Sequence, residues 1–153
     1  MINLKVFYLK KSIDERETFL FRGSREIKYV SKIDIKEKSP FNYLTITNPK
    51  ESRCICTLHD IKFKPNDKKS LILLTDDKAT NCSRAIQANI FNIGYDLKEN
   101  NNSKYMELSK IINKNDLLED NYVILVPGGT LILNFQDSVY EALLTISYSL
   151  ENF

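Results

Sequence analysis

His59 is the only histidine in the chain. Any Ser–His–Asp or Cys–His nucleophilic centre would have to be built around it. It stands in the run Cys54-Ile55-Cys56-Thr57-Leu58-His59-Asp60. Neither a Gly-x-Ser-x-Gly elbow nor a local cysteine-protease signature accompanies it, so it reads as a surface or turn histidine at the end of a strand. The same run, with Cys82 further on, can be drawn as a zinc site, because alternate residues of a strand project to one face as ligands must. The spacing argues against that drawing. Cys-x-Cys is not the usual Cys-x-x-Cys knuckle, and Cys82 has no partner near it in sequence. Cysteines acting as small apolar side chains account for the pattern. Their odd number, three, also argues against a closed disulfide framework.

Other chemistry is sparse. Neither Gly-x-x-x-x-Gly-Lys nor Gly-x-Gly-x-x-Gly occurs, so no backbone cradle for phosphate is encoded. The carboxylate pairs Asp76-Asp77 and Glu119-Asp120 adjoin turn residues, where carboxylates are solvated. Nothing in the spacing sets two of them at the separation glycoside hydrolysis needs. We therefore assign no catalytic, cofactor-binding or metal-binding residue and expect a non-enzymatic protein without a cofactor. Between Lys5 and Lys38, ten Lys or Arg are interleaved with Phe7, Tyr8, Phe19, Phe21 and Tyr29, but six acids share that stretch. An excess of four is a weak basic footprint, and nucleic acid is not an expected partner.

The elements that would carry these residues read as strands. In Ile27–Ile35, Ile27, Tyr29, Ile33 and Ile35 fall on one face and Lys28, Lys32 and Asp34 on the other, the period-2 signature. Leu44 and Ile46 share a face in Tyr43–Thr47, and the same texture recurs in Ile86–Ile93 and Leu143–Leu150. Leu71–Leu74 and Tyr122–Val126 read as strands buried on both faces. Pro127-Gly128-Gly129 predicts a hairpin from the second of these into Thr130–Phe135. Breaks are expected at Ser39-Pro40, Asn48-Pro49, Lys64–Asp67, Asp76-Asp77 and Glu99–Ser103, and a single helical turn over Asn115–Asp120 with Asn115 as N-cap. Ser12–Glu17 fits a helical turn or an exposed loop. The expectation is one all-β domain over residues 1–153, an antiparallel β-sandwich or jelly-roll-like domain with at most short helical turns.

Composition agrees. A chain of 153 residues, 42% hydrophobic and 27% charged, buries about 70% of its unfolded surface and builds a core without disulfides or metal. No apolar run approaches the roughly 18 residues of a membrane-spanning helix, and the first residues do not read as a signal peptide. Charge is unevenly divided. All 22 Lys and Arg lie at or before Lys114 with 14 of the 20 acids, giving +8, whereas residues 115–153 hold six acids and no base, giving −6. Two origins fit: a bipolar surface that favours head-to-tail contacts between copies, or basic and acidic strands pairing within one sheet.

Asn121–Phe135 followed by Glu141–Glu151, with its Pro-Gly step, apolar strand and final strand of alternating Thr, Ile, Ser and Tyr, resembles the last strands of small β-sandwich structural proteins of tailed bacteriophages. The Lys-, Ile- and Asn-rich, Ala-poor composition suits AT-rich phages, including the crAss-like group. The resemblance implies a neck-ring or connector, head auxiliary or fibre subunit, assembled in the bacterial cytoplasm, located in the virion and oligomeric there. Its partners would be copies of itself and other virion proteins. Asp14–Arg25, Lys62–Lys69 and Glu99–Lys104 are the expected contact segments. A ligand- or carbohydrate-binding sandwich and a small intracellular inhibitor of a host protein are the alternatives. Eight tyrosines but no tryptophan weaken the carbohydrate reading.

Overall fold

The computed structural model describes residues 5–10, 28–64, 70–75, 82–97, 106–112, 118 and 121–152, with the backbone alone for 70–75, 106–112 and 136. It is almost entirely β. The strands are β1 (Val6–Lys10), β2 (Lys28–Thr47), β3 (Cys54–Lys64), β4 (Ser70–Thr75), β5 (Arg84–Ala88), β6 (Phe91–Asp96), β7 (Met106–Ile112), β8 (Asn121–Leu125) and β9 (Thr130–Asn152). Every described pairing is antiparallel. One 3₁₀ turn, Lys50–Ser52, joins β2 to β3.

Two long strands organise the sheet. The first half of β2 pairs with the second half of β9, from Lys28↔Ser149 to Lys36↔Glu141, and its second half with the first half of β9, from Tyr43↔Asn134 to Thr47↔Thr130. Both strands bend between these halves, where the register breaks around Phe41↔Val139. The bend divides one continuous nine-stranded sheet into two layers. In the lower layer the order is β1-β8-β3-β9-β2, and in the upper it is β7-β4-β9-β2-β6-β5. This is a β-sandwich-like arrangement in which two strands belong to both layers.

The side-chain pattern shows how the bend works. In β2 the core-facing residues are Ile33, Ile35 and Phe41 before it and Leu44 and Ile46 after it. In β9 they are Leu131, Leu133 and Phe135, then Ala142, Leu144, Ile146 and Tyr148. Each strand switches from odd to even positions once, as a strand must when an irregularity turns it over. Layers meet through Phe91 edge-on to Tyr148 at 4.9 Å and Phe63 stacked on Phe135 at 4.8 Å. The strand faces expected for Ile33, Ile35, Leu44 and Ile46 are observed.

Several local expectations are corrected. Ser39-Pro40 does not end a strand; it lies at the bend of a continuous β2. Ile86–Ile93 is not one strand but the β5–β6 hairpin, reversed at Asn89, whose φ of 56° is one that Asn tolerates better than most residues. Tyr122–Val126 is not buried on both faces, since Val123 and Leu125 are buried but Tyr122 and Ile124 are only half-buried. The Pro127–Gly129 turn does not make a hairpin. β8 pairs with β1 and β3 in the lower layer, and the turn carries the chain up into the first half of β9. The stretches 12–17, 65–69, 76–77, 99–104 and 115–117 and the side chains of Leu71–Leu74 lie outside what is described, as does the whole contact segment Asp14–Arg25.

Asn48 locks the crossover. It is fully buried at the end of β2, and its side-chain Nδ2 donates to the carbonyls of Cys54 and Leu125, each at 2.9 Å. Its backbone N–H donates to Gly129 O at 3.0 Å, and its carbonyl accepts from Gly128 N–H at 2.6 Å. One residue thus ties together the ends of β2 and β8 and the starts of β3 and β9. Gly128 has φ of 90°, the left-handed region that favours glycine. At Gly129 a side chain would collide with the backbone of Lys5.

Candidate functional site

The residues with chemical potential are dispersed. Between Leu58 and Asp60 the pairing of β3 with β9 slips, leaving His59 as an extra residue on a bulge. The bulge turns its ring onto the sheet, where Nε2 lies 2.9 Å from Ser149 Oγ and the ring meets Tyr122 edge-on at 5.4 Å. His59 is therefore not a surface histidine; it is 5% exposed and Ser149 6%. A serine–histidine pair at this distance has the geometry of an activated nucleophile, but both members are covered, and neither lines either of the two grooves described below.

The cysteines are also apart. Cys56 is fully buried in the core, where burial, with Cys54 adding a smaller effect, pushes its thiol pKa far up. Cys54, at the start of β3, directs its thiol to Asn152 Oδ1 at 3.0 Å. Cys82 lies on the far side of the upper layer, packed against Tyr43 and Ile132 and over Gly94. Cys54, Cys56, His59 and Cys82 do not converge, and no group of three or more metal-ligating side chains exists among the described residues.

Part of the charge split meets within the sheet. β9, which carries Glu141 and Glu151, runs down the middle of the lower layer between β2 and β3. Glu141 is registered against Lys36, and Lys62 and Lys64 of β3 face the adjoining stretch of β9. Acidic and basic residues are neighbours here, most directly at Lys36 and Glu141, as pairing within one sheet requires.

The two edges of the lower layer differ in charge. Along β2 the outward residues Lys28, Val30, Lys32, Asp34 and Lys36 are all exposed, with Tyr29 exposed beside them, and Lys36 makes a solvent-exposed ion pair with Asp34 at 3.8 Å. Such charges keep a strand edge from pairing with another chain. At the opposite edge, β1 carries Phe7 and Leu9 on one face, beside Ile124 and Tyr122, and Tyr8 on the other. These three are 40%, 49% and 39% exposed. β1 pairs with β8 alone among the described residues, and only Lys10 guards it.

A groove of about 790 Å³ opens where the β2 bend faces the free end of the β5–β6 hairpin. Arg84, the first residue of β5, crosses to the bend and donates to Ser39 O and Pro40 O, both at 3.0 Å. Its guanidinium lies over the Tyr95 ring at 5.1 Å and the Phe41 ring at 6.0 Å. Tyr95 donates its hydroxyl to Glu37 Oε1 at 2.5 Å. That hydrogen bond, followed by burial, raises the phenol pKa, against a smaller opposing pull from Arg84. Asp96 accepts from the Ser83 and Leu97 backbone N–H groups. None of this was signalled in the sequence, because Arg84 reaches partners more than forty residues away. A smaller recess of about 270 Å³ lies beside Asp34, Lys64 and Glu141. No helix among the described residues is long and apolar enough to cross a membrane. Comparison with protein-family models, curated proteins and solved structures finds no match.

Proposed function

We propose that this protein is a non-enzymatic structural subunit that works through protein–protein assembly, and, on the resemblance of its last strands, a component of a tailed-phage virion. The observation that carries the assembly reading is the β1 edge. Phe7, Tyr8 and Leu9 are partly exposed on the two faces of an outer strand whose described sheet partner is β8. The opposite edge of the same layer also exposes Tyr29 and Val30, but sets Lys28, Lys32 and Lys36 among them. A neighbouring subunit's strand laid along β1 would continue the lower layer, with backbone hydrogen bonds supplying affinity and Phe7 and Leu9 supplying contact area. A sandwich whose layers share two strands is a stiff block on which to mount such a contact.

The test is the absolute mass of the purified protein by size exclusion with light scattering, at low and high salt. The expected result is an oligomer that persists in high salt, because the contact is apolar, and that dissociates in Phe7→Lys and Leu9→Lys. An oligomer that dissolves in salt would instead point to the bipolar-charge contact. A monomer in every condition that also captures no virion protein from infected-cell lysate overturns the proposal.

A further inference from the structure

We propose that the groove at the β2 bend is an anion-recognition site built on Arg84, and that its occupant is an acidic segment of a partner polypeptide. This deepens the assembly reading, on which it rests for the class of partner, but it uses a surface separate from β1.

Arg84 is a cation held ready. Its hydrogen bonds go to two neutral carbonyls, and it forms no ion pair among the described residues. A guanidinium has five N–H donors in a fixed fork, so three are left for a ligand. Stacking over Tyr95 and Phe41 fixes the plane before anything binds, which leaves little side-chain freedom to lose on association. The neighbouring acids are already engaged, Glu37 by the Tyr95 hydroxyl and Asp96 by two backbone N–H groups. Lys38 is exposed and has no ion pair among the described residues. With Lys36 paired to Asp34, the cations of the lining open to a ligand are Lys38 and Arg84, beside two acids that have their own donors.

A carboxylate meeting Arg84 forms charge-assisted, bidentate bonds. The groove is far larger than one anion, and its size and open rim suit a run of chain. Glu37 and Asp96 on the same rim would repel a continuous phosphate backbone, which disfavours nucleic acid. A polypeptide can place a carboxylate at Arg84 and Lys38 and neutral groups at the acids, with Leu97, 54% exposed, as an apolar contact.

The experiment is titration of the full chain with a fluorescent peptide that carries isolated Glu residues spaced by neutral ones. A Gln-for-Glu version, inorganic phosphate and a single-stranded oligonucleotide serve as comparisons. The acidic peptide is expected to bind more tightly than all three, and more weakly as salt rises. Arg84→Gln should weaken binding roughly tenfold to a hundredfold, the range for losing hydrogen bonds to a charged group. Because Arg84 also pins the bend, Lys38→Gln is the second variant. It should melt like the parent and bind about threefold more weakly, as expected for a solvent-exposed charge. No binding of the acidic peptide, equal binding of the Gln peptide, tighter binding of phosphate or oligonucleotide, or unchanged affinity in Lys38→Gln and Arg84→Gln would each overturn the proposal. A chain that binds the peptide yet never assembles keeps this site and loses the β1 contact; one that assembles but ignores the peptide does the reverse.

Discussion

Asn48→Ala removes the side chain that joins both layers at the crossover. Two hydrogen bonds of 2.9 Å are lost, to Cys54 O and Leu125 O. Each such bond contributes about 1 kcal/mol net, and a buried carbonyl left without its donor adds to the cost. Two effects offset part of this. Asn48 Oδ1 is itself buried with no hydrogen-bond partner, so deleting it relieves a desolvated atom, and Ser52 Oγ still reaches Cys54 O at 3.5 Å. The expected loss is about 2–4 kcal/mol, or a fall in Tm of about 5–15 °C for a chain of this length. Asn48→Asp should be worse, since it turns the donor into a second oxygen facing two carbonyls and brings a buried charge without a partner. Urea unfolding and thermal melts of parent, Asn48→Ala and Asn48→Asp measure both differences. If Asn48→Ala falls within about 0.5 kcal/mol of the parent, the range of an ordinary surface substitution, or if Asn48→Asp is the milder change, the role given to this residue is refuted.

Two further outcomes concern titratable groups. Thiol alkylation of the folded protein at mildly alkaline pH should spare Cys56, whose thiol is buried and whose pKa is raised, until denaturant is added; rapid labelling of Cys56 in the native state would contradict the core placement. Tyr95 ionises above its ordinary value of 10.0 because its hydroxyl is bonded to Glu37. A phenol whose folded pKa is raised contributes stability that is fully present below 10 and is lost as pH rises toward the folded value, because the unfolded chain ionises first. Near-UV difference titration should show two late-ionising tyrosines, Tyr95 and the buried Tyr148, of which only the Tyr148 signal remains in Tyr95→Phe, and the alkaline fall in stability should be shallower in that variant.

The legible part of this fold was the part governed by period-2 alternation. Ile33 and Ile35, and Leu44 and Ile46, declared their faces because a half-buried strand repeats every second residue. What alternation cannot reveal is where a strand turns over. The parity switch in β2 hides in Glu37–Asn42, where Ser39-Pro40 imitates a break. The first half of β9 is uniformly buried from Leu131 to Phe135, so it carries no period at all. Asn89 ends β5 without glycine or proline, and the Pro127–Gly129 signal was a true turn that led to a different layer. For the site, the dispersal of Cys54, Cys56, His59 and Cys82 follows from strand placement that spacing alone does not give. The burial of His59 depends on a bulge that leaves no mark in composition. The Arg84 groove depends on contacts between β5 and the β2 bend, which only topology brings together.

The place of β9 in the chain has a consequence for how the protein is made. Of the strands described it is the last in sequence, yet in both layers it lies between strands that precede it. During synthesis β2, β3 and β4 emerge first and wait, with edges open and apolar stripes uncovered, for the strand they all pair with. Contacts of such long sequence separation make folding slow, and the waiting intermediate is the species most prone to aggregate. Refolding from denaturant should therefore be limited by the arrival of β9. A nascent chain stalled before Thr130 should bind chaperones strongly, and release should come only once residues 130–152 are free of the ribosome.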